Sequence, residues 1–166
     1  QAMRDVAREL SQRGVAAIVE IEPADCAVLG DRAELRQVFV NPIHNALHAM
    51  PHGGNIRIAA HPLDDQHLHI SVSDTGTGIA VDDLPRIFLP FFSRRADGQQ
   101  GMGLGLPICK SLVEHFGGQI SASSQLGQGT TFTLRLRRAG PASDSPTDPP
   151  PRTAPSPALP RSPSPH

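Results

Sequence analysis

Apolar positions recur along the chain with two different periods, and these periods divide it into predicted helices and strands. A spacing of three to four residues, typical of amphipathic helices, predicts helices over 1–13, 31–50 and 107–116. Short apolar or β-rich segments predict strands over 16–22, 55–61, 67–74, 119–123 and 130–137, and the spacing of two that is typical of strands is clear in 67–74 and 130–137. The first 138 residues therefore combine three predicted helices with five predicted strands.

The predicted helix 31–50 carries a line of polar side chains beside its apolar stripe. Asn41 and Asn45 are four residues apart, so both amides project from one face. Asparagine is unfavourable inside a helix unless its side chain has a role, and amide oxygens suit a hard cation such as Mg²⁺. The alternative is a pair of exposed amides. Pro42 lies between them and removes a helical hydrogen bond at a cost of about 3 kcal/mol. Either the helix kinks there or the element is a compromised version of its type.

The strand 67–74 ends its buried row on an aspartate. Its even-numbered residues share one face, and the row of apolar side chains continues into Asp74. A buried carboxylate is costly unless it has a partner, so we expect Asp74 to meet a ligand; the alternative is an exposed aspartate that begins a turn. Gly76 and Gly78 follow and are expected to let a flat ligand approach the backbone.

A glycine-rich loop precedes the last predicted helix. Residues 101–107 read GMGLGLP, and Pro107 is expected at the first helical position. A loop that enters a helix N-terminus presents unpaired N–H groups and a positive dipole end, which favours phosphate. The alternative is an ordinary surface loop. A dinucleotide-binding enzyme is disfavoured because the glycine spacing differs from G-x-G-x-x-G and no strand leads directly into the loop.

An aromatic segment and a polar segment lie between these two motifs. Residues 81–88 are expected to form a helical turn, and residues 88–92 hold half of the six phenylalanines. We interpret 88–100 as a mobile lid anchored by its aromatic side chains. Arg94 and Arg95 have the charge to contact phosphate; the alternative is an arginine pair on an ordinary surface.

Composition excludes several classes of function. Fifteen basic and sixteen acidic side chains give a net charge of −1, so no basic field indicates a nucleic acid partner. The sequence shows no membrane-spanning run and no signal peptide, which favours the cytoplasm, including the cytosolic end of a membrane-anchored sensor. Cys26 and Cys109 are expected to be reduced core residues. The tail 139–166 holds ten of the seventeen prolines and is expected to be disordered.

Five motifs in a fixed order resemble a known family. They occupy 41–46, 74–79, 87–92, 101–106 and 127–132. Together they resemble the ATP-binding catalytic domain of sensor histidine kinases, in the superfamily shared with DNA gyrase B, MutL and the large heat-shock chaperone. The resemblance covers residues 1–138 and implies a two-layer α/β sandwich, with a mixed sheet of about five strands and about three helices on one face.

The resemblance also implies ATP and Mg²⁺ as cofactors and gives roles to the polar residues. Asp74 would bond the adenine amino group, with Thr130 supporting it through water. Asn45 would ligate Mg²⁺, with Asn41 beside it as the second catalytic asparagine. Arg95 stands where the family often has a lysine. The expected ATP-binding residues are Asn41, Asn45, Asp74, Gly76, Gly78, Ile79, Arg94, Arg95, Gly101, Met102, Gly103, Leu104, Gly105, Leu106 and Thr130.

The implied activity is transfer of the γ-phosphoryl group of ATP to a histidine on a dimerisation domain, and from there to a response regulator receiver domain, in a two-component phosphorelay. Pro42 replaces the usual leucine, Leu89 replaces the usual glutamate, and no phosphoacceptor histidine is recognisable. The chain is therefore expected to be truncated on its N-terminal side and inactive alone. The alternative is a degenerate, non-catalytic ATP-binding module. An anti-sigma factor serine kinase or a mitochondrial-type dehydrogenase kinase is disfavoured by residues 88–92.

Overall fold

One mixed sheet with helices on one face forms the domain. The computed structural model describes residues 8–24, 26–93 and 102–139. The strands are β1 (Val15–Ile21), β2 (Gly54–Pro62), β3 (His67–Asp74), β4 (Gln119–Gln125) and β5 (Gly129–Arg137). The helices are α1, described over 8–12, α2 (Arg32–Ala49) and α3 (Gly105–His115), and a 3-10 turn occupies Leu84–Arg86.

The sheet order explains the mixed character of the sheet. The strands follow the order β1-β2-β3-β5-β4, with β1 parallel to β2 and every other pair antiparallel. The predicted sandwich of about five strands and three helices is confirmed. The described part of the chain contains no helix that is long and apolar enough to cross a bilayer.

The two faces of the sheet differ in polarity because side chains alternate along each strand. In β3 the even-numbered residues are buried and the odd-numbered ones are not. The buried face packs against the helices through two clusters. One cluster joins α2 to β2 and β3 around Leu47 and Ile56, and the other joins α2 to α3 around Val38 and Val113. The outer face of the sheet is mostly polar.

Helix α2 continues through Pro42, which is buried within it. Proline has no N–H, so the carbonyl of Val38 loses the donor that residue 42 would normally supply. Cys109 on α3 replaces that donor, because its Sγ lies 3.3 Å from the Val38 oxygen. The chain thus tolerates Pro42 by recruiting a hydrogen bond from the neighbouring helix. Cys109 is fully buried, as the sequence predicted.

Helix α3 begins at Gly105, so the prediction that Pro107 occupies the first helical position is wrong. Pro107 is instead the third residue of the helix. The first N–H groups of a helix have no partner in the preceding turn, and the first helical bond here runs from Ile108 to Leu104, at 3.0 Å. Pro107 therefore removes no hydrogen bond at this position.

Candidate functional site

A cleft of about 600 Å³ opens between α2, the segment after β3 and the start of α3. It gathers most of the predicted site residues, although they are far apart in sequence. Those that line it are Asn41, Asn45, Asp74, Gly78, Ile79, Met102, Gly103, Leu104, Gly105, Leu106 and Thr130. Gly76 is not among the lining residues, and Arg94, Arg95 and Gly101 lie outside the described residues.

Asp74 lies at the end of the central strand and is 7% exposed. It pairs with Ile56 of β2 on one side and with Thr130 of β5 on the other. Burial raises the pKa of this carboxyl, and hydrogen bonds from two backbone N–H groups partly oppose the rise. These bonds come from Gly76 at 2.8 Å and Thr130 at 3.3 Å, and both reach Oδ1. Within the described residues Oδ2 accepts no hydrogen bond, so it is available to a ligand donor.

The Thr130 hydroxyl is oriented by a chain of hydrogen bonds. The Ser124 hydroxyl donates to the Gly129 carbonyl at 2.7 Å and accepts from the Ile79 N–H at 2.8 Å. Ser124 Oγ is also 2.9 Å from Thr130 Oγ1. Because Ser124 has one proton and has donated it, Thr130 must donate to Ser124. The remaining lone pairs of Thr130 are therefore left to accept from water or a ligand.

Ser124 was missed by the sequence reasoning, which ended the strand at residue 123. Its inward position follows from the pairing of Ser124 with Thr130 across β4 and β5. The period of two along β4, continued by one step beyond its apolar positions, would have pointed to it.

Asn41 and Asn45 of α2 line the same cleft as Asp74. Asn41 Nδ2 donates to the Gly105 carbonyl at 2.7 Å, which fastens the middle of α2 to the start of α3. In the described residues the Asn41 amide oxygen accepts no hydrogen bond, so it is available as an acceptor. No group of three or more His, Cys, Asp or Glu side chains that could hold a metal occurs in the described segments. A cation in the cleft would therefore rely on amide oxygens, water and ligand phosphates, a set that suits Mg²⁺.

Gly103 connects the glycine-rich loop to the aromatic segment. Its φ is +63°, and a Cβ there would lie 2.7 Å from the carbonyl carbon of Phe91. The Gly103 carbonyl accepts from the Phe91 N–H at 3.0 Å. The Phe92 ring in turn lies under the Arg86 guanidinium, 4.6 Å from its centroid. The described part of the aromatic segment is thus held next to the cleft by two contacts, one with Gly103 and one with Arg86.

Gly76 and Gly78 are needed mainly for packing within the protein. A Cβ on Gly76 would lie 2.6 Å from the Ala49 carbonyl oxygen. Gly78 has φ +70°, and a Cβ there would overlap the Gln125 carbonyl. Gly78 still lines the cleft, whereas the space beside Gly76 is occupied by the end of α2.

Two histidines on α2 line the cleft as well and were not predicted as site residues. His44 and His48 follow Asn41 at the third and seventh positions, so all three share a helix face. His48 Nδ1 is 2.5 Å from the His44 carbonyl oxygen. Because a carbonyl only accepts, Nδ1 carries the proton. The helical spacing from Asn41 was the signal in the sequence that would have found them.

Comparison with known proteins gives a consistent result. Residues 30–140 match the family described as histidine kinase-, DNA gyrase B-, and HSP90-like ATPases. The sensor histidine kinase ZraS of Klebsiella oxytoca is 37% identical over 131 residues, which are 79% of this chain and 28% of that protein. The chain thus spans less than a third of the length of this relative.

Solved structures show the same similarity in three dimensions. The mycobacterial sensor histidine kinase MprB superposes with a TM-score of 0.72 and 27% identity, over 82% of this chain and 93% of that one. Full-length ShkA in complex with AMPPNP gives 0.72 and 30% identity, over 84% of this chain and 30% of that one.

Proposed function

Because the chain belongs to the histidine kinase-, DNA gyrase B-, and HSP90-like ATPase family, we propose that its cleft binds Mg-ATP and donates the γ-phosphoryl group to a histidine. That histidine would lie on a dimerisation domain, and the phosphoryl group would pass from it to the aspartate of a response regulator. The proposed location is the cytoplasm, as part of a longer sensor.

One observation carries the proposal: a buried carboxylate and two helical asparagines line the same cleft. Asp74 Oδ2 has no hydrogen-bond donor among the described residues, and burial disfavours its charge. The exocyclic amino group of adenine would donate the hydrogen bond that Asp74 Oδ2 lacks. ShkA, at 30% identity, has a structure with the ATP analogue AMPPNP, which supports a nucleotide in the equivalent cleft.

The remaining side chains divide between base and phosphates. Thr130 has lone pairs to accept from a water beside the adenine, as its bond to Ser124 dictates. Asn41 and Asn45 are proposed for the phosphate end, where Asn45 would hold Mg²⁺ through its amide oxygen. Mg²⁺ would neutralise phosphate charge when it enters with ATP.

The backbone of the glycine-rich loop is proposed to position the phosphates. The described residues of this loop end in the first turn of α3, whose N–H groups have no helical partner. Catalysis of this kind depends on positioning and charge stabilisation more than on a general base. From the sequence alone, we propose that Arg94, Arg95 and Gly101 also bind ATP.

The alternative is a non-catalytic ATP-binding module of the same fold. The absence of a recognisable phosphoacceptor histidine was one reason to consider it, and Pro42 was the other. The structure weakens that reason, because α2 continues through Pro42 and Asn41 and Asn45 both line the cleft.

Phosphotransfer distinguishes the two functions. The chain would be mixed with Mg-ATP and a separately produced dimerisation domain, and acid-labile phosphate on that domain would be measured. Acid-labile phosphate that appears on the dimerisation domain with the wild-type chain and is lost with Asn45→Ala supports the kinase function. ATP binding without any labelled histidine supports the non-catalytic module.

A further inference from the structure

Two histidines and an arginine form a row on the outer face of the sheet, away from the cleft. His61 of β2 pairs with His69 of β3, and His69 pairs with Arg135 of β5. In β3 and β5 the neighbours of His69 and Arg135 along the strand are buried on the helix side, so these two side chains lie on the outer face. We call His61, His69 and Arg135 the basic row.

Two nitrogens of the basic row lack hydrogen-bond partners. His69 Nδ1 and Arg135 Nε are both removed from solvent and make no hydrogen bond to any described residue. The His61 and His69 rings stack, with centroids 4.6 Å apart and planes 28° apart. A buried polar nitrogen without a partner is unfavourable, so two neighbouring ones point to a ligand that would pair with them.

The acids on the same face do not supply that acceptor. Glu20 pairs with Arg57, with 3.0 Å between Oε2 and Nε. Asp64 accepts from His67 at 2.9 Å. Glu22 follows β1 and bonds through its backbone to Ala60, beside the row, but in the described segments it forms no ion pair with the row. Glu20 and Asp64 are therefore paired with other partners, and among the described residues Arg135 has no ion pair.

We propose that the basic row binds an oxyanion, either a phosphate group or a carboxylate. Arg135 would present its planar guanidinium to two oxygens, and His69 and His61 would donate from their rings. Because the two unpaired nitrogens are removed from solvent, the Arg135 and His69 side chains would have to rotate to reach the ligand. A metal ion is disfavoured at this position because the arginine adjoins the histidine pair. The site lies on the opposite face of the sheet from the cleft, so an anion there would not compete with nucleotide.

Nuclear magnetic resonance of the histidine rings tests the site with inorganic phosphate at constant ionic strength. The His61 and His69 resonances should shift saturably, and His115 on α3 should not. Arg135→Gln should weaken the binding about tenfold, as expected for losing a charge-assisted hydrogen bond. Arg57→Gln is the matched control, since it removes a paired arginine from the same face, and it should leave the binding unchanged.

A parallel titration with acetate identifies the source of the oxyanion. A saturable shift with both anions assigns the row to carboxylates and phosphates alike, and a shift with phosphate alone restricts it to phosphate groups. Shifts that stay linear, that occur equally at His115, or that persist unchanged in Arg135→Gln overturn the proposal. Unfolding midpoints of both arginine variants, measured alongside, show that the loss does not come from misfolding.

Discussion

The Sγ of Cys109 donates a hydrogen bond to the Val38 carbonyl oxygen over 3.3 Å, and Val38 is the residue whose helical donor Pro42 removes. This contact links α3 to the part of α2 that carries the two asparagines of the cleft. It makes the proline a feature of the interface between two helices, whereas the sequence alone indicated a local defect.

A double-mutant cycle should show that Cys109 and Pro42 are coupled. Cys109→Ala leaves the Val38 carbonyl buried and unpaired and should cost about 1–3 kcal/mol of unfolding free energy. In a Pro42→Ala background the N–H of residue 42 returns, so the same change should cost about 1 kcal/mol less. Urea unfolding of the four proteins gives both values. An equal cost in the two backgrounds would show that the thiol does not replace the missing donor.

The Cys109 thiol should be inert in the native protein. Burial raises its pKa from 9.0 to about 12, so almost no thiolate exists near pH 8, and the thiolate is the reactive form. Cys26, which is partly exposed, serves as the internal comparison. Alkylation followed by peptide mass analysis should modify Cys26 first, and Cys109 only after unfolding. Comparable rates at both cysteines would contradict this.

The same pKa shift predicts how stability depends on pH. The folded-state pKa of Cys109 is above its unfolded value. The stabilisation that the neutral thiol gives is therefore complete below about pH 9 and is lost as the pH rises towards 12. The difference in unfolding free energy between the wild type and Cys109→Ala should therefore narrow above pH 9. Denaturant titrations on either side of this pH measure it, and a constant difference would be inconsistent with a buried neutral thiol.

Gly78→Ala should be much more destabilising than Gly127→Ala. Both glycines have positive φ, +70° and +76°, so each alanine has a similar backbone cost of about 1–2 kcal/mol. A Cβ on Gly78 also overlaps the Gln125 carbonyl, whereas Gly127 has open space around it. Thermal unfolding of the pair isolates the packing cost. Similar midpoints for both variants would argue that the segment after β3 packs less closely than described.

Asn45→Ala should reduce ATP affinity only when Mg²⁺ is present. If the amide oxygen is a metal ligand, its loss should cost about tenfold in Mg-ATP affinity and leave binding in excess chelator unchanged. Titration calorimetry in the two conditions measures this, with adenosine as a ligand that lacks phosphates. An equal loss with and without Mg²⁺ would assign Asn45 a role other than metal binding.

The sequence predicted the fold well because periodicity records which face of each element is buried. The inward position of Asp74 followed from the period of two along β3, and the sheet confirms it. Periodicity could not predict contacts between segments that are distant in the sequence. The bond from Cys109 to Val38 joins residues 71 positions apart, and no local pattern records it. The start of α3 was misplaced because proline is compatible with several positions of a first helical turn.

The Asp74 carboxylate is the most direct test of the account as a whole. Burial raises its pKa, so its charged form destabilises the fold as pH rises above the unfolded value near 3.8, and Asp74→Asn removes that penalty. Calorimetric titration with Mg-ATP should therefore show no binding for Asp74→Asn, with an unfolding midpoint at pH 7 equal to or above that of the wild type. A variant that stays folded and binds ATP with wild-type affinity would contradict the adenine assignment and, with it, the proposed site.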